Sequence, residues 1–312
     1  MKALRQRLEL AAVQAVGTVV RVLPHPLLRV GGGALGSAFY ALDRSHRRVA
    51  LANLAQCFPA RSEAERTRIA RRMFQHFGVL LLELLQFSSL SPEGMRARVD
   101  VEGEERVRAA YAKGKGVLFF TGHFGFWELH AMVHALLFQP ISVLARPLDN
   151  PGLHGMLEAM RQRTGNNVIY REGAVRKVLK TLSQGEGVAM LIDQHMHSPD
   201  AIWVQFFQRP AATTSTLAAL ALRTGAPVVP VFTLPLPGGR FRMIYEHAVE
   251  PPGPDTRAPV REFTQRCTDV LEMYVRRQPE LWLWMHRRWR DAPAPDTGGM
   301  FPAVRDEGPA DG

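Results

Sequence analysis

The chain has 312 residues, of which 46% are apolar and 22% charged, and its net charge is +10. This length and balance suit one large globular domain or two small ones, and they exclude a mainly disordered or fibrous chain. The two cysteines, Cys57 and Cys267, have neither metal nor redox spacing, so they predict no disulfide framework and fit a reducing compartment.

Positive charge is concentrated in residues 1–50, whereas residues 291–312 carry net negative charge. A basic body favours an anionic partner such as a nucleic acid, an anionic membrane leaflet or an acidic protein. Alternatively, the excess reflects a proteome that uses arginine freely. No nucleic-acid-binding motif accompanies the charge, so we expect a membrane partner and no nucleic acid.

Two apolar stretches, residues 10–23 and 27–42, open the chain, with no signal-peptide cleavage site after them. Arg29 lies in the second stretch, and neither stretch reaches the roughly 20 uninterrupted apolar residues of a membrane span. With basic residues around them, they predict a membrane-associated helical hairpin or an interfacial anchor. Alternatively, they are two buried helices. Gly32 and Gly36 form a small-xxx-small pair suited to close helix packing.

The rest of the chain predicts an α/β domain. Residues 62–87 read as an amphipathic helix that begins with a capping box of Ser62 and Glu65. The predicted strands that follow are 116–120, 141–145, 168–170, 188–192, 203–207, 228–234 and 241–246, and the predicted helices are 127–137, 153–163, 174–182, 213–224 and 259–277. This alternation implies a sheet with helices on both faces. We divide the chain into a membrane-associating region (1–45), a catalytic domain (46–290) and a disordered tail (291–312).

The segment from Thr121 to Glu128 carries the clearest chemical signal, because it follows a buried strand and opens a helix, where sites form in open α/β sheets. Gly122 and Gly125 permit a tight turn and a close ligand around His123. A carboxylate at Glu128 can bond one imidazole nitrogen and raise the basicity of the other. The helix N-terminus offers N–H groups to an oxyanion. The His–Glu spacing alone is weak support.

Four further residues are candidates. Asp193 ends an apolar strand, so we expect it near His123 at the same sheet edge, either in the site or as a structural carboxylate. Arg146, Arg161 and Arg209 carry guanidinium groups that match the phosphates of an anionic lipid or carrier, although each alone also fits an ordinary surface arginine.

Residues 282–289 mix three tryptophans with basic residues, a pattern typical of a membrane interface or of RNA stacking, or else of a segment packed over the sheet. Four histidines invite a metal interpretation. His130 and His134 share a helix face, and His195 and His197 follow Asp193 in a loop. Zinc needs three or four converging ligands, so we predict no metal site.

The chain resembles the bacterial lipid A biosynthesis acyltransferases, the late lauroyl and myristoyl transferases, within the lysophospholipid acyltransferase superfamily marked by His-x4-Asp/Glu. The resemblance covers about residues 40–290. Its segments are Arg48 with Asn53-Leu54 and Phe58-Pro59; Gly122-His123-Phe124-Gly125 with Trp127-Glu128; Arg146-Pro147 with Asn150-Pro151; Arg161 with Gly165; Asp193-Gln194; Phe206-Phe207 with Arg209 to Thr214; and Gln278-Pro279-Glu280 with Trp282, Trp284, His286, Arg288 and Trp289. Phe126 and Gln208 depart from the pattern, which often has Asn and Gly there.

The resemblance implies a glycerol-3-phosphate acyltransferase-like fold with a mixed, mostly parallel sheet. It implies that His123 acts as base with Glu128 as its partner, and that Gly125 and Trp127 lie at the substrate. The resemblance further implies that the donor is an acyl thioester on acyl carrier protein or coenzyme A, with no other cofactor. It implies that the acceptor is a hydroxyl of a lipid A precursor or related glycolipid at the cytoplasmic face of the inner membrane.

Other functions stay open from the sequence. A lysophospholipid or glycosyl-lipid acyltransferase is the nearest alternative, although the later Glu-Gly-Thr-Arg motif of the phospholipid branch is missing from the sequence. From other classes come a metal-dependent hydrolase and a non-catalytic lipid-binding protein. The acyl chain length, the accepting hydroxyl and the oligomeric state do not follow from the residues.

Overall fold

The computed structural model describes residues 2–170, 172–198 and 201–292. The predicted tail thus lies outside the described residues from 293 onward. The α-helices are α1 Lys2–Val22, α2 His25–Leu42, α3 Arg44–Cys57, α4 Glu63–Phe87, α5 Pro92–Ala97, α6 Glu104–Tyr111, α7 Leu129–Leu137, α8 Pro151–Gln162, α9 Ala174–Ser183, α10 Thr216–Thr224 and α11 Pro259–Arg277. The strands are β1 Val99–Glu102, β2 Val117–Thr121, β3 Ile141–Leu144, β4 Asn167–Ile169, β5 Gly187–Leu191, β6 Ala201–Phe206, β7 Arg209–Thr214, β8 Val228–Leu236 and β9 Arg240–Tyr245.

Seven strands form one sheet in the order β1-β9-β8-β2-β5-β3-β4, and β6 and β7 form a separate antiparallel hairpin. Within the large sheet only β8 and β9 pair antiparallel. The neighbours β8, β2, β5, β3 and β4 all run parallel. The prediction of a mixed, mostly parallel sheet is therefore confirmed, and β2 lies at its centre.

Both faces of the sheet are covered, as the alternation along β2 requires. Leu118 and Phe120 belong to one apolar cluster, which includes residues of α3, α4, α10 and α11. Val117 and Phe119 belong to a second cluster on the other face, together with residues of α6 and α7. The predicted flanking helices are thus present on both sides.

Several regions differ from the sequence prediction, which did not include helices α3, α5 and α6. Residues 209–214 form β7, whereas we expected a helix to begin at residue 213. Helix α10 begins only at Thr216, after β7. The predicted helix therefore started three residues too early. The short strand β1, which pairs with β9, was not predicted.

The N-terminal helices pack against α4. A Cβ atom at Gly78 would lie 2.2 Å from the carbonyl oxygen of Gly32, and one at Gly36 would lie 2.1 Å from that of Phe74, so glycine is required for this approach. The predicted close packing through Gly32 and Gly36 is thus present. The outer surface of α1 and α2 exposes large apolar side chains: Leu4, Leu8, Val16, Val19, Val22, Leu27, Val30, Phe39 and Leu42.

None of the helices within the described residues is both long enough and apolar enough to cross a membrane.

Candidate active site

His123 lies in the loop that follows the central strand β2, and the loop backbone is held tightly. At Gly122 a Cβ atom would lie 2.9 Å from Leu271 Cδ1 and 3.0 Å from Asp193 Oδ2, so a larger residue would displace the carboxylate. Gly125 has a positive φ of 57°, and a Cβ there would lie 1.8 Å from the carbonyl oxygen of Thr233. Gly125 is therefore needed for the turn itself.

The chain segment after α11 fixes the same loop from the other side. Leu283 N–H donates to the carbonyl of His123 at 3.1 Å, and Gly125 N–H donates to the carbonyl of Leu281 at 2.9 Å. Phe124 and Trp282 form a β-bridge between these bonds. The position of His123 is thus set by backbone contacts on both sides.

Asp193 holds the imidazole of His123. It follows β5, which pairs parallel with β2, so the carboxyl ends of the two strands meet at one edge. His123 Nδ1 lies 2.8 Å from Asp193 Oδ1, and His123 N–H donates to Oδ2 at 2.7 Å. Trp282 Nε1 donates to Oδ2 at 2.8 Å. The expected neighbourhood of Asp193 and His123 is present.

This arrangement decides the ionisation of the pair. Burial alone would lower the pKa of His123, but the charge and hydrogen bond of Asp193, with a contribution from the charge of Glu128, raise it above its ordinary value. Burial would raise the pKa of Asp193, but His123 and the hydrogen bond from Trp282 hold it well below its usual range. Asp193 is therefore a carboxylate at neutral pH.

The second nitrogen of His123, Nε2, lies next to Gln194 rather than Asp193. Gln194 Nε2 lies 3.4 Å from His123 Nε2, and the His123 side chain is 16% exposed. The Trp127 ring packs edge-on against the imidazole, with the ring centroids 5.1 Å apart. With Nδ1 bound to Asp193, Nε2 is the nitrogen left to exchange a proton with a substrate.

Glu128 does not take the position that we expected. Within the described residues its carboxylate bonds to Arg161, through Nε to Oε2 at 2.9 Å and Nη2 to Oε1 at 2.6 Å, and to Trp127 Nε1 at 3.2 Å. The expected hydrogen bond from Glu128 to His123 is made by Asp193 instead. Glu128 therefore acts on His123 at a distance: its charge raises the pKa of the imidazole, whereas the charge of its partner Arg161 lowers it.

The three candidate arginines, Arg146, Arg161 and Arg209, differ in exposure and in their partners. Arg161 pairs with Glu128 through both ends of its guanidinium group, and its predicted role as a phosphate ligand stays a prediction. The Arg146 side chain is 89% exposed and lies 4.0 Å from the equally open Asp149. Arg209 begins β7, and its guanidinium carbon lies 6.0 Å from the centroid of the Trp289 ring.

Two backbone amides at the N-terminus of α7 are already bonded, so these two are not the free donors that we expected. Leu129 N–H donates to the carbonyl of Phe126, and His130 N–H to that of Trp127, both at 3.2 Å. These bonds occupy the first amides of the helix, so they are not available to an oxyanion in this conformation.

Trp282 is the site residue that sequence reasoning missed. The sequence left a membrane interface, RNA stacking and packing over the sheet open for the C-terminal tryptophans, and the burial of Trp282, Trp284 and Trp289 agrees with packing. A buried indole N–H needs an acceptor, and Trp282 finds it in Asp193. Phe126, which stands where the family pattern often has Asn, is also buried and packs against Phe87 and Phe241.

A histidine bonded to a buried carboxylate at the carboxyl edge of an α/β sheet has the geometry that general-base chemistry requires. The sequence model of the bacterial lipid A biosynthesis acyltransferases matches residues 2–291. The chain therefore belongs to this family and is an acyltransferase.

Named relatives agree with this assignment. The chain is 29% identical to a lipid A biosynthesis myristoyltransferase of Escherichia coli, over 80% of this chain and 77% of that one. It is 28% identical to the lauroyltransferase of the same organism, over 87% and 88% of the two chains. The 1-acyl-sn-glycerophosphate acyltransferase structure from Thermotoga maritima matches 82% of this chain and 97% of that one at 17% identity, with a TM-score of 0.35, too low to support an argument.

Proposed function

We propose that this enzyme transfers a fatty acyl chain from a thioester, on acyl carrier protein or coenzyme A, to a hydroxyl of a lipid A precursor or a related glycolipid. Family membership supports the reaction class and the glycolipid acceptor. The observation that carries the mechanism is the 2.8 Å contact between His123 Nδ1 and Asp193 Oδ1, because it leaves Nε2 as the nitrogen that can act as a base.

In the proposed reaction, His123 Nε2 takes the proton of the acceptor hydroxyl while its oxygen attacks the thioester carbonyl. The tetrahedral intermediate collapses with cleavage of the C–S bond, and the leaving thiolate takes the proton from the imidazolium. Asp193 stabilises the imidazolium between these two steps. Glu128 adds a weaker attraction for the same positive charge. No covalent acyl-enzyme is required.

The acceptor and the carrier are both anionic in this proposal. Arg146, in the loop after β3, and Arg209 remain candidates for their phosphates, since Arg146 is open to solvent. Trp127 forms a wall of the site beside the imidazole. The net positive charge of the chain favours an acidic carrier protein over a neutral donor.

We further propose that the enzyme works at the cytoplasmic face of the inner membrane, with α1 and α2 lying on the bilayer surface. The exposed apolar residues of these helices support this placement; Val22, 83% exposed, and Leu42, 82% exposed, are the most open of them. Arg21 and Arg29 lie in the same two helices, where they can meet anionic headgroups.

Reconstitution of the purified enzyme tests the reaction. With a lipid A precursor and acyl carrier protein or coenzyme A thioesters, we expect mass spectrometry to detect one added acyl chain. His123→Ala should reduce the rate by roughly 10²–10⁴-fold because the base is lost. His247→Ala, at an exposed position away from the Asp193 hydrogen bonds, is the matched control. Transfer to lysophospholipids but not to the glycolipid would overturn the acceptor, and full activity of His123→Ala would overturn the mechanism.

A further inference from the structure

A second group of polar side chains lies beside the His123–Asp193 pair. His195 and His197 are in the loop that begins at Asp193, and Asp291 lies at the end of the described C-terminal segment. One ligand atom from each of the three side chains lies within 4.8 Å of those of the other two. From the sequence we expected no metal because only pairs of histidines were apparent. In the folded chain, Asp291 joins His195 and His197 as a third possible ligand.

The rings and the carboxylate converge on a small space. The centroids of the His195 and His197 rings are 4.3 Å apart, and His195 Nε2 lies 3.8 Å from Asp291 Oδ2. That distance is too long for a hydrogen bond. Ligand atoms on a tetrahedral zinc ion are roughly 3.3 Å apart, so the group must close by at most about 1.5 Å. The exposed side chains of His197 and Asp291 can supply this movement by rotation.

The fold holds the fixed part of the group in place. The His195 side chain is only 4% exposed, and its Nδ1 makes no hydrogen bond of ordinary geometry within the described residues, although a backbone group of Arg288 lies nearby. Met196 N–H donates to the carbonyl of Ala212 at 3.3 Å, which anchors the loop to β7 between the two histidines. Asp291 has a φ of 57°, a left-handed conformation that turns its backbone at the group.

We propose that His195, His197 and Asp291 bind one divalent transition-metal cation, best fitted by Zn²⁺, with water completing its coordination. Two imidazoles and one carboxylate are ligands that zinc accepts, whereas Ca²⁺ and Mg²⁺ select oxygen ligands. The charge of Arg288 opposes a cation here, although its guanidinium is held by Ala212 and Thr213. Arg290 Nε lies 3.8 Å from Asp291 Oδ2, so the ion competes with this exposed arginine for the carboxylate.

The cation has a positioning role. One of its ligating segments begins at Asp193, and the other continues from Trp282, the indole donor to Asp193. A bound ion joins these two segments, so it restricts the movement of the carboxylate that holds His123.

Metal titration of the full-length, tag-free protein tests the site. After removal of metals with a chelator and dialysis, we expect one equivalent of Zn²⁺ to bind by calorimetry. We also expect one equivalent of Co²⁺ to give the visible absorption of a His-ligated ion. His197→Ala and Asp291→Asn, both exposed, should each weaken binding by at least roughly 10-fold. His247→Ala and Asp255→Asn are matched exposed controls and should bind as the wild type does.

Two results would overturn the proposal: less than one equivalent bound by the chelator-treated wild type, or equal affinity in the ligand variants and the controls. Thermal unfolding gives a second measurement, since Zn²⁺ should raise the Tm of the wild type and the controls but not that of His197→Ala. Both readouts are independent of acyl transfer. A failure of the cation site is therefore distinguishable from a failure of the proposed reaction.

Discussion

The two carboxylates around His123 have different environments. Asp193, 4% exposed, accepts hydrogen bonds from the His123 backbone and from Trp282, and it lies against the imidazole. Glu128 pairs with Arg161, and their side chains are 11% and 15% exposed. Arg161 comes from α8, a helix in which no residue is fully buried.

This difference separates two tasks. Asp193 is buried and held by hydrogen bonds, an arrangement that suits the orientation of the base in the proposed reaction. The Glu128 side is an ion pair on a less buried helix, which suits contact with substrates that enter and leave. The motif residue Glu128 thus marks the site, while the carboxylate that orients the base comes from another strand.

The largest effect is expected from Asp193→Asn. The amide can no longer compensate the imidazolium and favours the wrong tautomer of His123, so kcat should fall by roughly 10²–10⁴-fold. Steady-state kinetics with a saturating thioester measure it, and Asp255→Asn at an exposed position is the control. If Glu128→Gln lowered kcat as far while Asp193→Asn did not, the roles assigned to the two carboxylates would be reversed.

A double-mutant cycle on Glu128 and Arg161 tests the other side. Each single alanine variant leaves a charge partly buried without its partner, so we expect a loss of about 2–4 kcal/mol in the free energy of unfolding. The double variant should lose less than the sum of the single losses, because both charges are gone. Urea denaturation measures the coupling. If the losses of unfolding free energy in the two single variants simply added in the double variant, a strong interaction between Glu128 and Arg161 would be contradicted.

The pH dependence of kcat/KM compares the effects of Asp193 and Glu128 on the pKa of His123. His123 must be neutral to act as base, and its pKa is raised, so the rate should fall as pH decreases through that raised value. Asp193→Asn removes the main attraction and leaves the effect of burial, so the acid limb should move to lower pH. Glu128→Gln should move it in the same direction by less. An acid limb that stays in place in both variants would show that His123 is not the titrating group.

Local signals allowed much of the fold to be predicted. Helix α4 begins within a residue of its prediction, because the reciprocal bonds of Ser62 and Glu65 are a sequence-local feature and both are present. The buried strand β2 and its loop were also predicted from a local pattern, an apolar run followed by Gly122 and Gly125. The expected sheet with helices on both faces followed from the alternation of elements.

Long-range contacts explain what the sequence could not provide. Which carboxylate bonds His123 depends on the parallel register of β5 against β2, where Thr121 pairs with Leu191. The indole of Trp282 and the approach of Asp291 to the loop depend on the path of the chain after α11. Proximity in the sequence favoured Glu128, five residues from His123, but Arg161 competes for its carboxylate.

The smallest expected effect concerns the β6–β7 hairpin, on the closed side of the site. Its two turn residues, Phe207 and Gln208, have φ values of 56° and 57°, a left-handed pair that normally favours glycine. Gln208 is exposed, so Gln208→Gly should relieve strain and raise the free energy of unfolding by about 0.5–1 kcal/mol without changing kcat. Urea midpoints at constant m-value measure it.

Phe207→Gly is the matched comparison, because it gives the same backbone relief at the neighbouring position. Phe207 is 4% exposed and packs edge-on against Phe58 and Trp284, so its removal should lower the free energy of unfolding by roughly 3 kcal/mol or more. The two substitutions change the free energy of unfolding in opposite directions because the Phe207 side chain is packed and the Gln208 side chain is exposed. The packing of Phe207 outweighs the backbone strain at that position. A destabilising Gln208→Gly would mean that the glutamine side chain holds the turn.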